Sequence, residues 1–332
     1  MNRFVRLLAA VALLAGAGSA SAFTRITTTR RDGASQAADP GLLLWWKNRQ
    51  ITFHVNAAGT DATGCTAQQA EDTVAAALTG SWPNATRPGE ASACTDVSFV
   101  HGSATTQIAM GKDNVNLVVF RKGACKYIPE IAADPCQLTE GACTAKYNCW
   151  EHDLNVRGLT TTTYDSASGE ILDADVELFA WNGAQPYGAY FTCTTSSTTC
   201  TPNPVTSGAR PTTDCVSMDA GAVATHESGH MLGLDHVCTS TVAPYTTCPS
   251  GQSPVMTPLV GDLSHRVLTA DDVEGVCTIY PKGAETSASP GVDTSGKSGG
   301  SSGGGGCNTG GGAGVLALLG AAAAAWRSRR RR

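Results

Sequence analysis

Alternating apolar and polar residues predict the first strands of a folded domain. Residues 51–55 place isoleucine, phenylalanine and valine two positions apart, which is the period of a strand with one buried face. Similar short runs predict strands at 97–100 and 116–120. Residues 66–78 instead repeat apolar positions at helical spacing behind Thr66, whose hydroxyl suits an N-cap. The pattern therefore predicts a sheet with a helix packed against it.

Two more strands, joined by a turn at 165–169, are predicted further along the chain. They cover residues 160–164 and 171–179, and the acidic residues of the second strand share one face. These acidic residues are Asp173, Asp175 and Glu177. We interpret their face as exposed to solvent. A calcium site is the alternative, although Ca²⁺ requires about six to eight oxygens from several segments.

The last predicted element is a helix within residues 268–280, with Thr269 at its N-cap and acidic residues in its first turn. Residues 123–150 contain four cysteines with proline and glycine, so a disulfide-held loop region is predicted there. Residues 23–42 lack periodicity and are predicted to form a flexible lead. A single folded domain is therefore expected at 43–281.

Both ends of the chain carry targeting features. Residues 1–22 combine two arginines, a short apolar run and an Ala-Ser-Ala ending, which is the composition of a secretory signal peptide. Residues 282–306 are rich in glycine and serine and predict a flexible linker. Residues 307–332 contain Cys307, a short apolar run and five arginines, which predicts a sorting or anchoring tail.

Cysteine content agrees with export from the cell. The chain has 13 cysteines and no CxxC pair, so disulfides are favoured over thiolate metal sites. Twelve of them lie between Cys65 and Cys277 and predict up to six bridges, whose connectivity does not follow from sequence. Four are expected to pair among themselves: Cys125, Cys136, Cys143 and Cys149. The other candidate pairs are Cys65–Cys94, Cys193–Cys200, Cys215–Cys277 and Cys238–Cys248.

Net charge argues against one class of partner. Seven of the 23 basic residues lie in the predicted signal peptide and the terminal arginine run. Residues 23–306 therefore carry 16 Lys and Arg against 28 Asp and Glu, a net charge of −12. A nucleic-acid partner requires a basic face for its phosphates. The charge thus disfavours nucleic acid and agrees with a soluble exported domain.

The strongest chemical signal is the run HESGHMLGLDH, which begins at His226. Histidines four residues apart share one face of a helix, so His226 and His230 can bind one zinc ion. Gly233 can adopt a positive φ, end the helix and let the chain return His236 as a third ligand. Three protein ligands leave a position open for water, which is typical of catalytic zinc sites. Glu227 is the candidate general base for that water.

This run resembles the zinc-binding motif of the metzincin metallopeptidases. The resemblance implies an α+β domain with a mixed five-stranded sheet, an active-site helix and a methionine turn, for which Met256 is the candidate. The matrixin branch is the most similar. There, residues 171–179 would form the edge strand beside the substrate, and the paired aspartates of the closing helix would support the site. Pro258 and Val237 depart from the astacin and adamalysin patterns, so the assignment within the family stays partly open.

The C-terminal tail resembles the tripartite sorting signals of bacterial surface proteins, particularly the myxobacterial type with a Gly-Cys motif. That resemblance implies processing near Cys307 and a mature protein held at the cell envelope. A permanent anchor through the apolar run at 315–326 is the alternative.

The predicted activity is hydrolysis of peptide bonds in protein or peptide substrates, with Zn²⁺ as cofactor and Glu227 as general base. The resemblance implies that substrate lies extended along residues 171–179. It also implies that residues 257–266 form the wall of the substrate pocket on the primed side. Ca²⁺ is a further candidate cofactor. The alternative function is a catalytically weak or inactive surface-binding module on the same scaffold, against which the intact Glu227 argues.

Overall fold

The predicted strands form one mixed five-stranded sheet in the computed structural model. The model describes residues 23–28, 41–139, 141–237, 253–258 and 261–286. The predicted signal peptide and the C-terminal tail with Cys307 lie outside these residues. The strands are β1 (Thr24–Arg25), β2 (Gln50–Asn56), β3 (Ser98–His101), β4 (Asn116–Lys122), β5 (Gly158–Tyr164), β6 (Ile171–Ala180), β7 (Phe191–Thr192), β8 (Met218–Asp219) and β9 (Leu234–Asp235). The helices are α1 (Ala67–Gly80), α2 (Ala142–Tyr147), α3 (Pro204–Ser207), α4 (Ala220–Met231) and α5 (Ala270–Ile279).

The order of strands in the sheet is β3-β2-β4-β6-β5. Strands β3, β2, β4 and β6 are parallel to one another. Strand β5 pairs antiparallel with β6. The short connection at 165–169 allows this hairpin, because antiparallel neighbours need only a tight turn. The prediction of an α+β fold with a mixed five-stranded sheet is therefore confirmed.

One face of the sheet packs against α1 and α4 and forms the main core. Helix α1 buries Ala70, Val74 and Leu78, which follow one another at four-residue spacing and so share one face of the helix. Its predicted N-cap is confirmed, since the Thr66 hydroxyl accepts from the amide of Gln69 and the Gln69 side chain accepts from the amide of Thr66.

The opposite face of the sheet is covered as well, and here the prediction of a solvated acidic face is wrong. Asp173, Asp175 and Glu177 are each no more than 3% exposed. Asp173 accepts from the amides of Asp113 and Asn114, and Asp175 accepts from the amides of Gly111 and Leu117. Burial raises the pKa of Asp175 to about 8, so this closely spaced pair need not carry two full negative charges at neutral pH.

Glu177 completes the buried polar layer through an ion pair. Arg121 of β4, fully buried, donates from Nε to its Oε1 at 2.6 Å, and His152 Nε2 lies 2.9 Å from its Oε2. Although burial opposes it, these two partners lower the pKa of Glu177. Arg121 also donates to the backbone carbonyl of Ile108, so the ion pair fastens a covering loop to the sheet.

Strand β6 is not an edge strand, contrary to the expectation for residues 171–179. It lies between β4 and β5, and its backbone groups are used on both sides. The edge beside it is β5, which pairs with β6 alone among the strands of the described sheet. Any substrate that adds to this edge must therefore pair with β5.

Residues 123–150 form a small disulfide-held unit that contains helical turns rather than loops alone. Helix α2 and 3₁₀ helices at Cys125–Tyr127, Pro129–Ala133 and Pro135–Leu138 lie within it. Its four cysteines do pair among themselves, as Cys125–Cys149 and Cys136–Cys143.

The other predicted bridges are wrong where the structure describes them. Cys65 bonds Cys193, Cys200 bonds Cys215, and Cys94 bonds Cys277. Spacing along the chain does not predict these pairings, because the separations of the observed bridges range from 15 residues for Cys200–Cys215 to 183 for Cys94–Cys277. Cys238 and Cys248 lie outside the described residues.

Part of the predicted flexible lead, residues 23–28, lies against the zinc motif. Strand β1 pairs antiparallel with β9, and the amide of Ile26 donates to the carbonyl of Gly233. Alternation of apolar and polar residues cannot predict a strand this short, because two residues are too few to show a repeating pattern. Within the described part of the chain, no helix has the length and apolar character needed to cross a membrane.

Removing the Cys65–Cys193 bridge should destabilise the domain more than removing Cys136–Cys143. The first bridge closes a sequence separation of 128 and the second one of 7. Loop-closure entropy gives losses of about 5 and about 2 kcal/mol in the free energy of unfolding. Urea unfolding of the two double-alanine variants measures the difference, and equal losses would contradict the expectation.

Candidate metal centre

Helix α4 begins at a buried cap that also anchors a later loop. The Asp219 carboxylate accepts from the amide of Ala222 at 2.6 Å, which satisfies one of the free amides of the first turn. Arg266 donates to both oxygens of the same carboxylate, at 2.7 and 2.6 Å. The start of the helix that carries His226 and His230 is thereby hydrogen-bonded to the segment 261–266.

The helix ends where the motif predicts. Gly233 has φ +84°, and a Cβ there would lie 2.7 Å from the carbonyl oxygen of Leu44. Only glycine fits both the conformation and the space. The chain then reverses through β9 and places His236 beside the two helical histidines.

The three predicted ligands converge. One ligand atom from each of His226, His230 and His236 can be chosen so that all lie within 4.8 Å of one another. The Nε2 atoms of His226 and His236 are 3.0 Å apart. Two nitrogens bound tetrahedrally at the Zn–N distance would be about 3.3 Å apart, so this spacing fits one shared ion.

Backbone carbonyls orient two of the imidazoles. His226 Nδ1 donates to the carbonyl of Val255 at 2.6 Å, and His230 Nδ1 donates to the carbonyl of Leu234 at 2.8 Å. These bonds place the proton on Nδ1 and leave the Nε2 lone pair for a metal. The Nε2 atom of His230 is buried and has no hydrogen-bond partner among the described residues, so it is free to bind a metal.

Burial favours the neutral form of two of the three candidate ligands. Burial, and then the nearby His230, lowers the pKa of His226 to about 3. Burial also lowers the pKa of His236 well below its ordinary value, and both neighbouring imidazoles act in the same direction. At these two positions a metal need not compete with protons at neutral pH, and the three imidazoles fit a zinc ion.

Glu227 lies beside this cluster on the same helix and is 4% exposed. Thr160 of β5 donates its hydroxyl to the Oε2 atom of Glu227 at 2.7 Å. Burial raises the pKa of Glu227, while His230 and the Thr160 hydroxyl oppose the rise. A buried carboxylate with a raised pKa that forms no ion pair within the described residues is the kind of group that can take part in proton transfer.

Met256, the candidate for the methionine turn, packs against helix α4 at Gly229. A Cβ on Gly229 of α4 would overlap its sulfur, so the absence of a side chain at 229 allows this close packing. The Asp272 carboxylate accepts from the amides of Val255 and Met256, at 2.9 and 3.2 Å. Helix α5 therefore supports the turn through one of the two predicted aspartates.

The acidic residues of β6 do not join the metal centre. Asp173 and Asp175 accept from backbone amides, and Glu177 is paired with Arg121 and His152, as described above. Across the described ranges, the three histidines are the one group of three or more potential ligands that converges. The calcium expectation for this strand therefore stays a prediction.

Several residues that shape the site carry no recognisable sequence signal. Thr160 lies in a run of four threonines, which marks a strand but does not say which threonine faces the helix. Gly158 precedes that run and lies against Glu227. Trp82 donates from its indole to the carbonyl of Thr225 in the middle of α4.

No protein-family profile matches the chain, and no curated protein has significant sequence similarity to it.

Replacing His236 with alanine should lower zinc occupancy. The wild-type chain is expected to retain about one zinc ion after dialysis against a weak chelator, because three buried imidazoles converge. The variant retains two ligands and should lose most of the ion. Elemental analysis by mass spectrometry measures the content, and His101→Ala, which lies outside the site, is the control. Full zinc in the His236→Ala variant would show that His236 is not a ligand.

Proposed function

We propose that the protein is a zinc-dependent endopeptidase. The observation that carries the proposal is the convergence of three buried imidazoles next to the buried carboxylate of Glu227. A structural zinc site has four protein ligands and no need of a neighbouring base, whereas a catalytic site has three ligands and an open position. The likeness of the motif to the metzincins, including Met256, supports the same proposal.

When bound, zinc would polarise the scissile carbonyl and make water a stronger nucleophile near neutral pH. His226, His230 and His236 hold the ion, and the carbonyls of Val255 and Leu234 keep two of these rings in orientation. Glu227 accepts the proton of the attacking water and delivers it to the leaving amine. Its raised pKa favours this double role, because a very weak base could not take the proton at all.

The edge strand β5 supplies a reason for peptide substrates. Its first residue, Gly158, lies against Glu227, and its outer edge has no partner strand among the described residues. An extended chain can add to such an edge by backbone hydrogen bonds, which gives affinity with little dependence on side chains. The scissile bond of a peptide paired with the start of β5 would lie beside the carboxylate.

The proposal includes export and attachment to the cell envelope. The signal-like residues 1–22 and the tail at 307–332 support it, together with five disulfides in the described domain. If the tail is a transient sorting signal, the mature chain should end near Cys307. Mass spectrometry of the C-terminal peptide from cells tests this, and a mature surface protein ending in Arg332 would contradict it.

Replacing Glu227 with alanine should abolish most turnover without loss of zinc. The ligands are unchanged, and loss of a general base lowers the rate by about 10²–10⁴. Two measurements on the variant check the expectation: its rate of hydrolysis of unfolded protein or a peptide library, and its zinc content. Glu130→Ala, which removes an exposed carboxylate, is the matched control.

Comparable activity in the Glu227→Ala variant would contradict the assigned base. A wild-type protein that binds zinc but cleaves nothing in such a library would instead favour the alternative function, a surface-binding module on the same scaffold.

A further inference from the structure

One face of strand β5 is turned toward helix α4. Alternate residues of a strand share a face, so Gly158, Thr160 and Thr162 point the same way. Gly158 and Thr160 both contact Glu227, and all three lie on a strand that packs against α4. The Thr162 hydroxyl is buried and has no hydrogen-bond partner in the part of the chain that the structure describes. The three positions therefore share an orientation but differ in their relation to Glu227.

Thr160 makes the polar contact to the base. Its hydroxyl lies 2.7 Å from Oε2 of Glu227 and 3.0 Å from the backbone oxygen of the same residue. The threonine is 3% exposed, so water does not readily replace this bond. A hydroxyl that donates to a buried carboxylate restricts the torsions of the acidic side chain and stabilises the charged form of the carboxylate.

Gly158 provides the space that the base occupies. A Cβ there would lie 2.9 Å from Cδ and 3.0 Å from Cγ of Glu227. These separations are shorter than carbon atoms tolerate, so any side chain at 158 would displace the carboxylate. Glycine is required here by close approach and not by backbone conformation, because its φ is not positive.

The strand that bears these residues is itself fixed. Thr160 pairs with Val176 of β6, a strand hydrogen-bonded on both sides. A base held from a sheet is placed more precisely than one held from a loop, and small displacements of a catalytic group have large effects on rate.

We infer that Thr160 is a positioning residue for Glu227, and that Gly158 provides the clearance this position requires. The inference rests on the proposed peptidase function for its catalytic consequence. The same strand would then both receive the peptide on its outer edge and orient the base with its helix-facing side.

Kinetics of the zinc-loaded protein provide the first test. Thr160→Val keeps the branched shape but removes the donor, and it should lower kcat by about 10- to 100-fold, the range expected for a hydrogen bond to a charged group. KM should change by less than about threefold, because the substrate contacts are backbone bonds. Thr160→Ser restores the hydroxyl and should recover most of kcat. Zinc content should be unchanged in each variant.

Thr162→Val is the matched control. It makes the same replacement on the same face of the strand, at a hydroxyl that has no partner. It should leave kcat and zinc content as in the wild type. Wild-type kcat in Thr160→Val, or an equal loss in Thr162→Val, would overturn the inference.

A thermal unfolding cycle on the zinc-free protein tests the contact without any activity. Gly158→Ala should lower Tm by at least about 3 °C in the wild-type background and by much less in the Glu227→Ala background, where the obstructed side chain is gone. Equal shifts in both backgrounds would overturn the inference. If the wild type binds zinc but cleaves nothing, the proposed function fails, and this cycle alone decides whether β5 positions Glu227.

Discussion

Burial of a polar helix is the constraint on which the site depends. All residues of α4 are buried, although the helix carries His226, Glu227 and His230. A buried polar group without a partner costs about 1–3 kcal/mol, so the surrounding elements have to supply partners. Two carbonyls and one hydroxyl do so. Within the described residues the Nε2 atom of His230 has no such partner, and a metal ion bound by the three histidines could provide one.

The partners of α4 come from segments that lie far apart along the chain. The Trp46 indole donates to the carbonyl of Met231, and the Tyr280 hydroxyl donates to the carbonyl of Leu232. Asp272 holds the turn that contains Met256, and the Cys94–Cys277 bridge holds the helix that contains Asp272. Disturbance of any of these segments therefore reaches the metal ligands, and the candidate site is a property of the whole described domain.

Periodicity predicted where the strands of the sheet lie, including the almost entirely buried β4, but it did not predict what covers the acidic face of β6. The alternation in β6 separates its two faces, but it does not say what lies on each. Segments without periodicity, around Gly111 and Asn148, cover the acidic face and provide its hydrogen-bond donors and acceptors. The same limit explains the disulfides: cysteine counts predict bridges, but pairings such as Cys65–Cys193 depend on how elements pack.

The sequence by itself identified the three candidate ligands and the carboxylate beside them. Helical spacing fixes the relation of His226 to His230, and a glycine that can take φ +84° fixes the return of His236. Both are short-range constraints, readable from eleven consecutive residues. Only the tertiary structure decided that β5 is the edge strand and that Thr160, 67 residues before Glu227, holds the carboxylate. Contacts at that separation depend on strand register and helix packing, which a local pattern of residues does not encode.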